Sequence, residues 1–111
     1  MARPDPAALH EAMNRLWVQF LPQIEERVSI LEKAAAALAA GNLSPELCSE
    51  ASSAAHKLAG VLGTFGLDQG TILAREAEAL YASQAGAEAI GNDHPAALAA
   101  QLRSILSARE K

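Results

Sequence analysis

The residue best suited to chemistry in this sequence is His56, which lies in a predicted helix within the stretch AAHKLAGVLGTFGL. On a helical wheel of about 100° per residue, His56 lies about 160° from the centre of the apolar sector of that helix. The sector consists of Leu47, Ala51, Ala54, Leu58, Leu62 and Phe65. His56 is therefore expected on the outward face, where a neutral imidazole near pH 7 is available as a nucleophile.

The face around His56 carries only small residues. Its outward neighbours, one and two turns away, are Ser49, Ser52, Ser53, Gly60 and Gly63. Each glycine inside a helix costs about 1 kcal/mol relative to alanine. Core packing does not account for both glycines, because on the helical wheel they lie away from the apolar sector. The pattern predicts a flat surface that another protein approaches closely, and the alternative is an ordinary polar histidine on a solvated helix.

The stretch AHKLAGVLGTFGL resembles the signature of histidine-containing phosphotransfer (HPt) domains. The residues that carry the resemblance are Ala55, His56, Leu58, Gly60, Gly63 and Gly66, with Thr64 and Phe65 also compatible. The following ILAREAEAL is similar to the next helix of that family. The resemblance implies that His56 accepts a phosphoryl group at Nε2. It also implies a partner-binding surface made of Ser49, Ser52, Ser53, Gly60, Gly63 and Thr64.

One position departs from the family pattern. Many members carry a lysine three residues after the histidine, where this chain has Ala59. Lys57 lies about 100° around the helix from His56, at the edge of the outward face. Its flexible stem makes it the candidate to stabilise a phosphoryl group, and the alternative is an ordinary solvated lysine.

The chain shows no pattern typical of an enzyme. It has no Walker-type or kinase glycine loop and no HRD or DFG run. It also lacks the acidic cluster that would hold Mg²⁺. The resemblance therefore implies a phosphoryl carrier without an ATP site or a bound cofactor. Its expected partners are a receiver domain of a response regulator, which would bring the aspartate and the Mg²⁺, and a hybrid histidine kinase.

Three other functions compete with the phosphorelay carrier. The chain could be an HPt-like module that docks receiver or kinase domains without carrying phosphate. It could be the phospho-accepting domain of a chemotaxis-type histidine kinase. It could also be an unrelated helical scaffold, which would require the spacing from Ala55 to Gly66 to be accidental.

Composition and periodicity predict an all-α fold. Alanine is abundant, strand-like alternation is absent, and half of the residues are hydrophobic. A first helix is predicted from Asp5–Pro6 to Pro22, which kinks or ends it, with the inward stripe Leu9, Met13, Leu16, Trp17 and Phe20. Four more helices are predicted. The second runs through Ile24 and Leu38 and ends at Gly41–Asn42, and the third runs from Pro45 to Phe65 with Ser44 and Gly66 as its caps. The fourth is capped by Asp68, and the fifth begins at Pro95. The loop is placed at 85–93. The expected architecture is an antiparallel up-down four-helix bundle with an additional N-terminal helix, as a single domain over residues 1–111.

The remaining candidate residues favour structural roles. His10 and His94 are expected at the surface or at helix caps, and no pair of histidines has the spacing of metal ligands, so no metal site is predicted. Cys48 is expected as a small core residue. Trp17 and Phe20 are expected in the core, and the fourth helix is expected to bury the stripe Leu73, Ala77, Leu80 and Gln84, broadened by Ala74 and Tyr81.

Charge and hydropathy exclude several classes of partner. The net charge of −4 provides no basic stripe for nucleic acid. No apolar run approaches the roughly 18–20 residues of a membrane span, and the N-terminus lacks the hydrophobic segment of a signal peptide. The single cysteine suits a reducing compartment. A cytoplasmic protein is expected, and a monomer, because the apolar stripes account for one bundle.

Overall fold

The computed structural model describes residues 6–82 and 93–110, and every regular element in those ranges is an α-helix. The helices are α1 (Pro6–Ala39), α2 (Pro45–Thr64), α3 (Asp68–Ala82) and α4 (Asp93–Glu110). The prediction of an all-α fold is confirmed. None of the described helices combines the length and the apolar character needed to cross a membrane.

The four helices enclose one hydrophobic core. Helices α1 and α3 each pack against both α2 and α4, which gives the four sides of a bundle. Side-chain contacts show that α1 and α4 are antiparallel: Arg103 of α4 donates to Glu32 of α1 at 2.7 Å, whereas the later Arg109 donates to the earlier Asn14 at 2.9 Å. The largest fully buried side chains are Ile24, Val28, Leu31, Leu58, Leu62 and Leu102.

The predicted additional N-terminal helix is wrong, because α1 continues through Pro22 as one helix of 34 residues. Proline removes one backbone hydrogen bond inside a helix and strains the preceding turn. Here Trp17 before the proline and Ile24 after it are both buried in the same core. Core packing before and after Pro22 therefore keeps the helix continuous, although the proline in the sequence indicates a helix end.

The predicted inward stripe at the start of α1 is also largely wrong. Leu9, Leu16 and Phe20 are 56%, 41% and 37% exposed, and of the predicted stripe only Trp17 is buried. The Trp17 ring contacts Phe65 edge-on, with ring centroids 5.2 Å apart, and Phe65 directly follows the end of α2. The residues before Trp17 thus extend past the end of α2, and the side chains there have little to pack against.

The ends of α2 follow the predicted capping pattern. The Leu47 N–H donates to Ser44 Oγ at 3.1 Å, as expected of a serine N-cap before a proline. At the other end, Gly66 adopts φ +73° and the Leu67 N–H donates to the Leu62 carbonyl at 2.9 Å. This is a Schellman C-cap, for which glycine is favoured because of the positive φ.

The other helix boundaries agree less closely with the prediction. Gly41, with φ +77°, ends α1 as expected. Helix α3 begins at Asp68, the predicted N-cap. The N-cap position is instead occupied by Leu67, because the Thr71 N–H donates to the Leu67 carbonyl at 3.0 Å. Helix α4 begins at Asp93, two residues before the predicted Pro95. The predicted loop at 85–93 and the stripe residue Gln84 lie almost wholly outside the described residues.

Candidate functional site

His56 projects from α2 into solvent and is held from one side by α3. Its side chain is 74% exposed, and its Nδ1 atom lies 2.9 Å from Oε2 of Glu78. An ionised carboxylate only accepts hydrogen bonds, so in the neutral ring the Nδ1 atom carries the proton. The lone pair then resides on Nε2, at the far side of the ring. The contact therefore favours the tautomer with a proton on Nδ1 and a free lone pair on Nε2.

The small residues around His56 form the outward face that the wheel predicts. Ser49, Ser53, Gly60, Gly63 and Thr64 are exposed and Ser52 is half-buried. The Thr64 hydroxyl donates to the Gly60 carbonyl at 3.1 Å, so its hydrogen is used within its own helix. The part of the α2 surface formed by these residues consists of short side chains and bare backbone.

The two glycines of this face have different surroundings. A Cβ added to Gly60 would have no heavy atom within 4 Å. A Cβ added to Gly63 would lie 3.3 Å from Thr71 Oγ1, at the contact between α2 and α3. Close helix packing thus accounts for Gly63 and leaves Gly60 unexplained by the fold. Of the two glycines, Gly60 is the one whose missing side chain leaves open space and no helix contact.

Lys57 lies on the opposite flank of α2 from Glu78. It lines a groove of about 640 Å³ between α1 and α2, together with Arg27 and the acidic residues Glu26, Glu46 and Glu50. Three carboxylates line the same groove as the Lys57 side chain, and none of them forms an ion pair with it. The position three residues after the histidine is Ala59, which is buried.

A family model decides what kind of domain this is. The model of the Hpt domain matches residues 15–109, which is most of the chain. The chain belongs to the Hpt domain family. This Hpt domain is therefore a histidine phosphotransfer module of two-component signalling, a phosphoryl carrier rather than an enzyme.

A curated relative also resembles this Hpt domain. It is 36% identical to Protein RcaC of Microchaete diplosiphon over 66 residues. The match covers 60% of this chain and 10% of RcaC, so the chain spans about a tenth of the length of that relative. The search of solved structures found no match.

Sequence reasoning about this Hpt domain missed Glu78, which touches the imidazole. The glutamate lies 22 residues after His56 and on another helix. The available signal was the placement of Glu78 seven residues after Thr71, which puts both on one edge of α3 beside the buried Ala74 and Tyr81. That edge contacts α2, and a polar residue there can reach the outward face of α2.

The other predicted candidates of the Hpt domain lie apart from His56. His94 is exposed, with Nε2 3.7 Å from Oε1 of Glu76, and His10 is exposed near the start of α1. Cys48 is buried, as predicted, and its thiol donates to the Tyr81 carbonyl at 3.0 Å. Within residues 6–82 and 93–110, no group of three histidine, cysteine or acidic side chains is arranged to hold a metal ion.

Tyr81 is a buried ionisable group with an unusual environment. It is 3% exposed, and its hydroxyl has no hydrogen-bond partner among the residues that the structure describes. Burial, followed by the nearby Cys48, raises the pKa of Tyr81 from 10.0 to about 12. The phenol therefore stays neutral across the physiological range and plays a packing role at the α2–α3 contact.

Proposed function

We propose that His56 accepts a phosphoryl group at Nε2 and exchanges it with the aspartate of a receiver domain. The observation that carries the proposal is the contact between His56 Nδ1 and Glu78 Oε2 at 2.9 Å, on a side chain that is 74% exposed. It holds the ring by one nitrogen and leaves the other facing solvent beside the open backbone at Gly60.

The transfer step needs only groups that the two proteins supply. The Nε2 lone pair attacks the phosphorus of the aspartyl phosphate, and the bond from phosphorus to the aspartate oxygen breaks with its electron pair returning to the carboxylate. The ring, which keeps its proton on Nδ1, gains positive charge as the nitrogen–phosphorus bond forms. The Glu78 carboxylate stabilises that charge. The reverse sequence returns the phosphoryl group to an aspartate.

The surface around His56 suits an in-line approach by a receiver. In-line transfer requires that donor, phosphorus and acceptor align, so positioning dominates the rate. Ser49, Ser52, Ser53, Gly60, Gly63 and Thr64 form the proposed docking surface, with Gly60 at its most open point. The receiver supplies the Mg²⁺ and the acceptor aspartate, and a hybrid histidine kinase with its own ATP site is the proposed source of phosphate. We further propose that the domain acts as a cytoplasmic monomer.

The decisive experiment is phosphorylation of the domain by a phosphorylated receiver, followed on a phosphate-retention gel. The wild-type protein should acquire an acid-labile, base-stable phosphate, and His56→Gln should acquire none. His94→Gln is the matched control, because His94 is also an exposed histidine on a described helix. Label that survives in His56→Gln would place the acceptor elsewhere. A wild-type protein that binds receivers and never acquires label would establish a docking module instead.

A further inference from the structure

We propose that Arg75 of α3 supplies the positive charge that binds the phosphoryl group on His56. This inference rests on the proposed function of His56 and names a further residue of the same site. It assigns to α3 the role that the resemblance assigns to a lysine on α2, at the position where this chain has the buried Ala59.

The register of α3 against α2 is fixed by Thr71. The Thr71 hydroxyl donates to the Ala59 carbonyl at 3.1 Å, and its Oγ1 lies 3.3 Å from the place where a Cβ on Gly63 would be. Thr71 is therefore level with residues 59–63 of α2. The two helices are antiparallel and have the same rise of about 1.5 Å per residue, so each step forward along α3 is a step backward along α2.

This register brings Arg75 level with the histidine. Four residues beyond Thr71, Arg75 is level with residues 55–59, which include His56. Three residues further on, Glu78 makes its contact with His56 Nδ1, which confirms the register independently. Thr71, Arg75 and Glu78 are spaced four and three residues apart, so all three share the edge of α3 that faces α2. Arg75 is the exposed member of the three.

The Arg75 guanidinium is available to an incoming anion. It makes no hydrogen bond or ion pair with the residues that the structure describes, whereas the Glu78 carboxylate beside it is directed to the imidazole. Lys57, the other cation near His56, lies on the α1 flank among Glu26, Glu46 and Glu50. Lys57 also makes no ion pair with the described residues, so the two cations differ in their surroundings. Arg75 lies on the flank from which Glu78 holds the imidazole, and Lys57 lines a groove that three carboxylates also line.

A guanidinium fits the chemistry of this position. Its planar N–H groups pair with two phosphoryl oxygens at once, and it stays protonated throughout. The arginine donates these hydrogen bonds while the phosphoryl group moves between aspartate oxygen and Nε2, and no bond of its own is made or broken. The added positive charge also offsets the repulsion between the phosphoryl group and the Glu78 carboxylate. Arg75 thus stabilises both the transfer step and the phosphohistidine.

The test compares single substitutions in the intact domain with two phosphate donors. One donor is a phosphorylated receiver, and the other is phosphoramidate, a small molecule that needs no docking surface. The variants are Arg75→Gln, Arg75→Lys and Lys57→Gln, with Arg15→Gln on the exposed face of α1 as the matched control. Circular dichroism checks that each variant is folded. The readouts are the rate of labelling at His56 and the rate at which the phosphohistidine loses phosphate afterwards.

We expect Arg75→Gln to slow labelling by both donors about tenfold, the effect of losing one hydrogen bond to a charged group. Arg75→Lys should recover most of that loss, Lys57→Gln should lose less than Arg75→Gln, and Arg15→Gln should label at the wild-type rate. Slow labelling by the receiver alone would overturn the inference, because it would make Arg75 a docking residue. A loss in Lys57→Gln without one in Arg75→Gln would overturn it in favour of Lys57. If the wild-type domain acquires no label from either donor, the proposed function fails and the role of Arg75 fails with it.

Discussion

Glu78 holds His56 by Nδ1, at 2.9 Å, from a helix that reaches the histidine only through the packing of α3 on α2. The same contact performs two tasks. It fixes which ring nitrogen keeps the proton, and it places a negative charge where the ring would become positive in the proposed phosphoryl transfer. A carboxylate that holds a ligand or catalytic imidazole by its second nitrogen is a general way to orient the ring.

Replacing Glu78 should separate these two tasks. Glu78→Gln keeps an acceptor for the Nδ1 proton and loses the charge, whereas Glu78→Ala loses both. We expect labelling of His56 by phosphoramidate to slow about fivefold in Glu78→Ala, which corresponds to one hydrogen bond of about 1 kcal/mol, and less in Glu78→Gln. Nitrogen NMR of the ring should show the proton on Nδ1 in the wild type and a mixture of tautomers in Glu78→Ala. An unchanged tautomer in Glu78→Ala would show that the carboxylate does not set it.

The two glycines of the His56 face should respond differently to alanine. Gly60→Ala adds a methyl group to open space, so the higher helix propensity should raise the free energy of unfolding by up to about 1 kcal/mol. Gly63→Ala brings a methyl group 3.3 Å from Thr71 Oγ1, and the crowding should cancel that gain. Urea unfolding of the two variants measures the difference, and equal stabilisation of both would contradict the close packing at Gly63.

A larger side chain at Gly60 should affect docking alone. We expect Gly60→Gln to fold and to label with phosphoramidate at the wild-type rate, since a Cβ at this position would have no heavy atom of the described residues within 4 Å. Transfer from a phosphorylated receiver should slow, because the partner must approach over that position. Equal rates with both donors would show that the bare backbone is not part of the docking surface.

Local signals predicted the helical character of the chain and the caps of α2, because those depend on neighbouring residues. Ser44 before Pro45 and the glycine at 66 set the ends of α2 through hydrogen bonds within one or two turns. The outward position of His56 follows equally from helical periodicity. The predicted end of a helix at Pro22 is wrong because the burial of Trp17 and Ile24 outweighs the free-energy cost of a proline inside a helix. That burial depends on the tertiary fold.

The parts of the site that were missed depend on the register between helices. A helical wheel gives the face of the helix on which a residue lies. It does not show which residues of a neighbouring helix lie opposite that residue. The contact of Glu78 with His56 and that of Thr71 with Gly63 both require the packed register of α3 against α2. For the same reason, the wheel identified the apolar side of α1 and could not show that its first turns extend beyond α2.

Tyr81 should make stability fall at high pH. The pKa of Tyr81 rises from 10.0 to about 12 in the folded protein, chiefly through burial. Because the folded state favours the neutral phenol, its contribution to stability is fully present below pH 10 and is lost as the pH rises through 12. Tyr81→Phe removes this dependence and also removes a buried hydroxyl that has no partner within residues 6–82 and 93–110.

Urea unfolding of wild type and Tyr81→Phe at pH 7 and pH 11 tests this. We expect the variant to be more stable by about 1 kcal/mol at pH 7, since an unpaired buried polar group is costly. The difference should increase at pH 11. A parallel loss of stability in both proteins between the two pH values would assign the alkaline instability to other groups.

Two leucines of α1 test whether its first turns lie outside the core. Leu31 is 2% exposed at the centre of the bundle, and Leu16 is 41% exposed where α1 passes the end of α2. Leu31→Ala should lower the free energy of unfolding by about 3 kcal/mol, within the usual range for a leucine removed from a packed core. Leu16→Ala should cost less than about 1 kcal/mol, because alanine retains helix propensity and little burial is lost. The same substitution on the same helix makes each variant the control for the other. Equal costs measured by urea unfolding would mean that Leu16 is buried and that the start of α1 belongs to the core.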